Sequence, residues 1–464
     1  IYMEIPLLDT MTTSATTTTK LVILGGGESG VGAALLGKHR GFDVFLSDQG
    51  QLQQQYRDIL VAEKIPFEEG GHTEDRILSA QEVVKSPGIP DKAPIIQELY
   101  RRGTPVISEL EFAARYTKAR LVAITGSNGK TTTTLLTYHL LKEAGLSVGL
   151  AGNIGDSFAK QVIDDQKDVY VLEVSSFQLD NMYQFHAHVA VLLNITPDHL
   201  DRYDYDFQKY VNSKFRIVQN QTAADSFIYF AESEALIAEI PKRDIPAQRW
   251  PISLQSELPE GGFLKEGVLT VRSHGKEFTI STSELPVQGP HNAINAMAAI
   301  LVAQAVGLTP AQIEAGLRSF VNAPHRLESV ATLDGVEYVN DSKATNVDSV
   351  FYALGSFDRP IVLIAGGVDK GNDYAQIEPL VRQKVKGIIA LGTDTAKLTS
   401  YFADMVPRMH ATQSLTDALQ TARAWTEPND VVLLSPACAS FDLFKNYMDR
   451  GDQFRKEVLN LTKS

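Results

Sequence analysis

The run Leu121–Thr125 (LVAIT) leads directly into Gly126-Ser127-Asn128-Gly129-Lys130-Thr131 and then into an apolar stretch ending at Gly145, and this junction narrows the possible folds more than any other feature of the chain. A short, wholly apolar strand that passes through glycines straight into a helix belongs to a parallel sheet covered on both faces. The same junction suits a phosphate. Glycines let backbone N–H groups turn toward oxygens, the helix N-terminus brings its positive end, and Lys130 adds a point charge. Thr131 offers a hydroxyl to Mg²⁺. The spacing departs from GxxxxGK[ST], whose first glycine would fall at Ile124. Phosphate binding is therefore supported, a strict P-loop is not, and the flanking strand and helix weigh against a mere surface turn.

The alternation extends in both directions. Lys20 to Asp48 reads as strand, glycine loop, helix and strand (LVIL, GGGESGVG, AALLGKHRG, DVFLSD), a βαβ unit. EVVKSPG and VISELEF carry the pattern on to Ser108. After the phosphate loop come VYVLEVSS and VAVLLNIT, and residues 227–280 switch to short alternating runs with turns at Gly261, Gly262 and Gly275, which predicts a small antiparallel patch. The helix GPHNAINAMAAILVAQAVG leads to a joint at Ala323 and Pro324. IVLIAGG, GIIALG and VVLLSPA then restart the alternation.

With 464 residues the chain exceeds one ordinary core, and about 150 residues per domain suggests three. The expectation is an α/β protein with an N-terminal Rossmann-like domain (1–108), a central P-loop-type domain (109–322) and a C-terminal Rossmann-like domain (323–464). A net charge of -13 argues against a nucleic-acid surface. Cys438 is the sole cysteine, which points to a reducing compartment and cytoplasmic location. The Thr-rich leader, Ile1 to Lys20, lacks a basic start and apolar core and reads as a flexible segment rather than a signal. No membrane span is expected.

Two further constellations carry chemistry. Gly25, Gly27 and Gly30 form a GxGxxG after a strand, with Asp48 closing the next. These residues suit a dinucleotide, another nucleotide, or close helix–strand packing alone. Glu173 and His199 each end an apolar strand, so both belong at the sheet edge where ligands bind. With Thr131 they can supply oxygen and nitrogen ligands to Mg²⁺, although a lone strand-end Glu or His is usually only solvated.

GSNGKTTT, GNIG, LEVSSFQL, NITPDHLDRY, HNAIN, PHRLE, NDSKATN, AGGVDKG and SPACASFDLFKNYMDRGDQF follow one another in an order that resembles the Mur ligases over nearly the whole chain, with NDSKATN and the SPACAS stretch similar to the D-glutamate-adding branch. The resemblance implies an ATP-dependent ligase that phosphorylates the carboxylate of UDP-N-acetylmuramoyl-L-alanine and lets the amine of D-glutamate attack the acyl phosphate, in peptidoglycan synthesis. It implies ATP and two Mg²⁺ (or Mn²⁺) as cofactors, small-molecule partners, and a cytoplasmic monomer that binds neither nucleic acid nor membrane.

Residue by residue, the resemblance gives Lys130 and Thr131, with Gly126, Asn128, Gly129 and Thr132, to the phosphates, and Thr131 with Glu173 to one magnesium. His199 matches a ligand of the second magnesium. Lys214, by pattern one more helix lysine, matches a lysine carbamylated by CO₂, whose carbamate bridges to the metal; lysine is the cation whose pKa falls most readily on burial. Catalysis is thus expected from Lys130, Glu173, His199 and Lys214. Asn292 and Asn295, one helical turn apart, resemble adenine contacts, Arg326 a phosphate contact, and Asp341 and Lys343 ribose and phosphate contacts. Glu28, Ser29, Ser86, Pro87, Gly88, Asn153, Ser175 and Gln178 are implied for the UDP substrate. Thr345, Lys370, Ser440, Phe441 and Tyr447 are implied for D-glutamate. Two other readings remain: a folylpolyglutamate synthase-like ligase, which usually lacks an N-terminal nucleotide-type loop, and a nicotinamide-binding oxidoreductase, for which no hydride-transfer constellation is visible.

Overall fold

The computed structural model describes residues 18–287, 289–322 and 324–461; residues 1–17 of the predicted leader and Ala323 of the predicted joint fall outside them. The chain divides into two compact units, one built from the chain up to Lys118 with Gly155–Gln166 and Asp180–Phe185, the other from Ala119–Ile154, Lys167–Leu179 and His186 onward.

The first unit carries a five-stranded, all-parallel sheet ordered Phe67–Glu69, Asp43–Asp48, Lys20–Leu24, Glu82–Lys85, Val106–Ile107. Its first strand runs through Gly25 into the helix Glu28–His39. A Cβ at Gly30 would stand 1.9 Å from the Gly25 carbonyl oxygen, so only glycine lets the helix pack this tightly against the turn. VISELEF is a strand only at Val106–Ile107. Ser108 then accepts from the Glu111 amide at 3.1 Å and starts the helix Glu109–Ala114. Ser-x-x-Glu is a helix-start signal, and it overrides the strand-like run.

The second unit holds two sheets. The nine-stranded one is ordered Lys276–Ser281, Val268–Ser273, Gly261–Lys265, Gln248–Ser253, Ser226–Phe230, Val189–Leu192, Arg120–Thr125, Val169–Glu173, Val148–Gly152. Chain order reverses around Arg120–Thr125, so the crevice beyond the carboxyl end of that strand lies at a topological switch point. The predicted antiparallel patch is real at Gly261–Ser281, but it extends this same sheet rather than standing apart. The buried helix Pro290–Val306 packs on that extension: a Cβ at Gly262 would meet the Met297 side chain at 3.0 Å. Leu136, Leu140, Ile300 and Val302 belong to the same core and are fully buried, each contributing about 1.5–3 kcal/mol of transfer free energy.

The other sheet has six strands, Glu328–Leu333, Val336–Asn340, Val431–Leu434, Ile361–Ala365, Val385–Leu391 and Met409–Thr412, parallel except for the first pair. Among the described residues no helix is long and apolar enough to cross a membrane.

Candidate active site

The phosphate loop leaves Arg120–Thr125 and enters the helix Lys130–Glu143. Gly126 and Gly129 have φ of +155° and +82°, where an L side chain is strained, and a Cβ at Gly129 would lie 2.4 Å from Asn295 Oδ1. The turn is thus fixed to glycine by backbone angle and by its neighbour on another helix. Lys130 Nζ donates to the Gly126 and Ser127 carbonyls, both at 2.7 Å. Burial holds its pKa below the ordinary lysine value, opposed by Glu173 and Asp198.

Each neighbouring strand brings one chemical group to the same edge. Glu173, fully buried at the end of its strand, accepts from Asn153 Nδ2 through Oε1 at 2.8 Å, while Oε2 is buried with no hydrogen-bond partner among the described residues. An unpartnered buried carboxylate oxygen close to Lys130 fits a hard cation, as does the buried hydroxyl-bearing Thr131. On the other side Asn194 accepts from the Asn128 amide at 2.9 Å. Beyond it His199 sits at φ +52°, edge-on to Phe177 with ring centroids 5.0 Å apart. Burial pulls the His199 pKa down; Asp198 opposes this, and the like charges of Lys370, Lys130 and Lys214 reinforce it. Among the described residues no three His, Cys, Asp or Glu side chains form a metal cluster.

Lys214, on the helix Phe207–Phe215, is 1% exposed, and its Nζ reaches Gly126 O at 2.8 Å and Thr125 Oγ1 at 3.2 Å. It stands under the phosphate loop, over the Tyr210 ring at 5.2 Å.

A pocket opens beside the loop, lined in part by Asn128, Gly129, Thr132, Asn292, Asn295, Arg326, Asp341 and Lys343. Asn295 donates to Asn292 Oδ1 at 3.0 Å, and the Arg326 Nε is buried without a hydrogen-bond partner among the described residues. Burial pushes the Asp341 carboxyl up to about 7 although Ser435 and the Leu327 amide donate to it. Burial and Arg326 lower the Lys343 ammonium to about 8. Tyr447, assigned to the amino acid on resemblance, lies against this group, its hydroxyl accepting from Lys343 Nζ at 3.1 Å.

The remaining amino-acid candidates surround the carboxyl ends of the six-stranded sheet. The Thr345 amide donates to Lys343 O, Lys370 is exposed on a loop, Ser440 is buried, and Phe441 is 72% exposed. Ser175 donates to Gln178 Oε1 at 2.9 Å, so these two brace one another. In the first unit a cleft is lined by Gly25, Asp48, Ser86 and Gly88 together with His72 and Gln49. Pro87 lies in the same turn. Glu28 points elsewhere, accepting from Tyr56 at 3.1 Å, with Ser29 following it in the first helical turn. Both Asp48 oxygens accept from backbone amides, those of Gly26 and Gly50, which ties the carboxylate to the glycine loop and to its own turn and weakens the case for a dinucleotide ribose.

Sequence reasoning missed the partners of Asn128. Its side chain meets Asp348, Ser349 Oγ at 2.9 Å and Asn346 Nδ2 at 3.3 Å. NDSKATN was conspicuous as a motif, yet nothing local connects the residues after it with the loop.

The family profiles agree along the chain: the N-terminal domain of the MurD-like Mur ligases matches residues 19–108, the Mur ligase middle domain 124–303, and the Mur ligase glutamate ligase domain 325–438. The chain belongs to the Mur ligase family and is an ATP-dependent ligase of peptidoglycan synthesis. Among its relatives, the UDP-N-acetylmuramoylalanine--D-glutamate ligase of Cytophaga hutchinsonii is 54% identical over 95% of this chain and 99% of its own length. The enzyme of the same name from Bacteroides fragilis is 49% identical over 95% and 100%. The fold is shared with a pseudomurein peptide ligase type C from Methanothermus fervidus (TM-score 0.61, 19% identity, 96% of this chain and 100% of that one). It is also shared with a MurF ligase from Thermotoga maritima in complex with ADP (TM-score 0.59, 16% identity, 90% and 95%).

Proposed function

We propose that this chain joins D-glutamate to UDP-N-acetylmuramoyl-L-alanine through an acyl phosphate, as a cytoplasmic monomer with ATP-binding, UDP-binding and amino-acid-binding domains at 109–322, 1–108 and 323–464. The observation that carries the reading is the convergence of Lys130, Lys214 and the unpartnered oxygen of Glu173 on one sheet edge beside the pocket that holds Arg326 and Lys343.

Lys130, with the amides of the loop and the helix N-terminus, holds the β- and γ-phosphates, and Arg326 and Lys343 neutralise the same polyanion. Asn292 and Asn295 face the base, and Asp341 the ribose. A carboxylate oxygen of the acceptor attacks the γ-phosphorus and ADP leaves. The amine then attacks the acyl carbon, phosphate leaves, and one proton is lost. Thr131, Glu173, His199 and a carbamate on Lys214 would hold two Mg²⁺, which neutralise charge as it develops on the transferred phosphoryl group. Lys214 fits carbamylation because its amine is almost wholly buried, where the neutral form that captures CO₂ is favoured. Lys370, Thr345, Ser440 and Phe441 receive the amino acid, since a dianionic side needs a cation.

The test is phosphate release with ATP, Mg²⁺, UDP-N-acetylmuramoyl-L-alanine and each amino acid in turn. Turnover with D-glutamate alone is expected. Equal turnover with L-glutamate or L-alanine overturns the reading.

A further inference from the structure

The loop that follows Ile361–Ala365 is organised around a side chain beside the one it presents. Asp369 Oδ1 accepts from the amides of Gly371 at 2.7 Å and Asn372 at 2.9 Å, and Oδ2 accepts from Tyr374 OH at 2.9 Å. Lys397, on the helix Ala396–Phe402, donates to Asp369 Oδ1 at 3.1 Å and to the Asn372 carbonyl at 2.6 Å. Partial burial alone would push the Asp369 carboxyl up; the Asn372 amide, Lys397 and Tyr374 outweigh it and hold the carboxyl below its ordinary value. Val368 and Ala439 exchange backbone hydrogen bonds at 2.8 and 3.2 Å, which ties the start of the loop to the segment carrying Ser440.

Lys370 therefore follows a carboxylate that already accepts from four donors, three of them on Oδ1. An ammonium next to a free carboxylate tends to pair with it. Here Lys397 occupies that partner, and Lys370 remains exposed at the loop tip, close enough to His199 to repel its charged form.

We infer that Lys397 and Asp369 are positioning residues for Lys370: their ion pair fixes the loop and, by engaging Asp369, keeps the Lys370 ammonium available for a carboxylate of the incoming amino acid. The inference rests on the reading of Lys370 as an amino-acid contact and adds the device that serves it. Nothing in the composition of AGGVDKG distinguishes the two neighbouring charges; the long-range partner Lys397 assigns their roles.

The experiment is a double-mutant cycle read as KM for D-glutamate, with KM for ATP and for the UDP substrate measured alongside. Lys397 is half-exposed, with 52% of its side chain accessible, and such a pair is worth little by itself, so Lys397→Met should raise KM for D-glutamate about three- to fivefold. KM for ATP should not change, and Lys397→Arg should restore the wild-type value. Lys370→Ala should raise the same KM by about tenfold or more. In the Lys370→Ala background Lys397→Met should add nothing further. An equal increase in both backgrounds, or none in the wild-type background while Lys370→Ala has its full effect, overturns the positioning role. An unchanged KM in Lys370→Ala overturns the reading of Lys370 and the inference together. Tyr374→Phe removes only one bond to Asp369 and should give a smaller change in the same direction.

Discussion

Lys130 and Lys214 donate to the same oxygen, the carbonyl of Gly126, at 2.7 and 2.8 Å, from two different helices. Two ammonium groups on one carbonyl repel each other, and the arrangement makes sense if one of them ceases to be a cation. A carbamate on Lys214 replaces a positive charge with a negative one, turning a repulsive neighbour of Lys130 into an attractive one.

Lys214→Ala should therefore lower kcat by about a hundredfold or more, the scale of losing one charge-stabilising group. Lys214→Arg should not recover it, because a guanidinium forms no carbamate. Added short carboxylates should partially restore Lys214→Ala in the phosphate-release assay. Full activity of Lys214→Ala with no addition excludes the role.

Asn128 supplies a second test. Asp348 accepts from Asn128 and from Thr196 Oγ1 at 3.4 Å and, through its other oxygen, from Gln376 Nε2 at 2.8 Å, so its removal leaves three donors unmatched, two of them half-buried. Asp348→Ala should cost about 1–3 kcal/mol of stability and raise KM for ATP, read from thermal unfolding and steady-state kinetics. Asp348→Asn can keep one acceptor toward Asn128 and should be milder in both. Equal losses in Asp348→Asn and Asp348→Ala would mean that the charge of Asp348, rather than its hydrogen bonds, matters.

These contacts also mark what a sequence can and cannot disclose. The loop Gly126–Thr131 was legible because glycine spacing, strand and helix are local signals, and the three α/β sheets were legible because apolar runs recur with the right period. The hold on Asn128 was not, since Asn194 lies 66 residues and Asp348 220 residues away. Glu173 could be placed at the sheet edge from its strand end alone, whereas His199 lies on a loop seven residues beyond the end of Val189–Leu192; that Asn153 grips Glu173 could not be read. Asp369 escaped for a different reason, because its engagement depends on Lys397 in a later helix.

The pKa shifts at Asp341 and Lys343 predict opposite limbs of a pH profile. Asp341 is raised from 3.8 to about 7, so its contribution to stability is full below about pH 4 and is lost as pH rises through 7. Lys343 is lowered from 10.5 to about 8, so its contribution is present above 10.5 and is lost as pH falls through 8. The melting temperature of the ligand-free chain should fall less between pH 5 and 8 in Asp341→Asn than in the unsubstituted protein. KM for ATP should climb above pH 8 as Lys343 loses its proton, and Lys343→Arg should remove that climb. A KM profile that stays flat to pH 9.5 would separate Lys343 from the triphosphate.

Glu173 offers the sharpest test of the metal assignment. Its Oε1 is held by Asn153 at 2.8 Å and its Oε2 is buried and unpartnered among the described residues, so Asn153 aims the one oxygen that remains free. Asn153→Ala should release the carboxylate and raise the Mg²⁺ concentration for half-maximal phosphate release by about tenfold, the scale of one hydrogen bond to a charged group. Gly152 reinforces the same geometry: at φ +101° a Cβ would come 2.2 Å from the Glu173 carbonyl oxygen, so Gly152→Ala must part the two strand ends and should impair Mg²⁺ use still more. Because Asn153 is also expected to touch the muramoyl substrate, the two roles separate by titration. A rise in KM for the UDP substrate with an unchanged Mg²⁺ requirement would leave Asn153 a substrate contact only, whereas a shifted Mg²⁺ requirement at saturating substrate identifies it as the residue that orients Glu173.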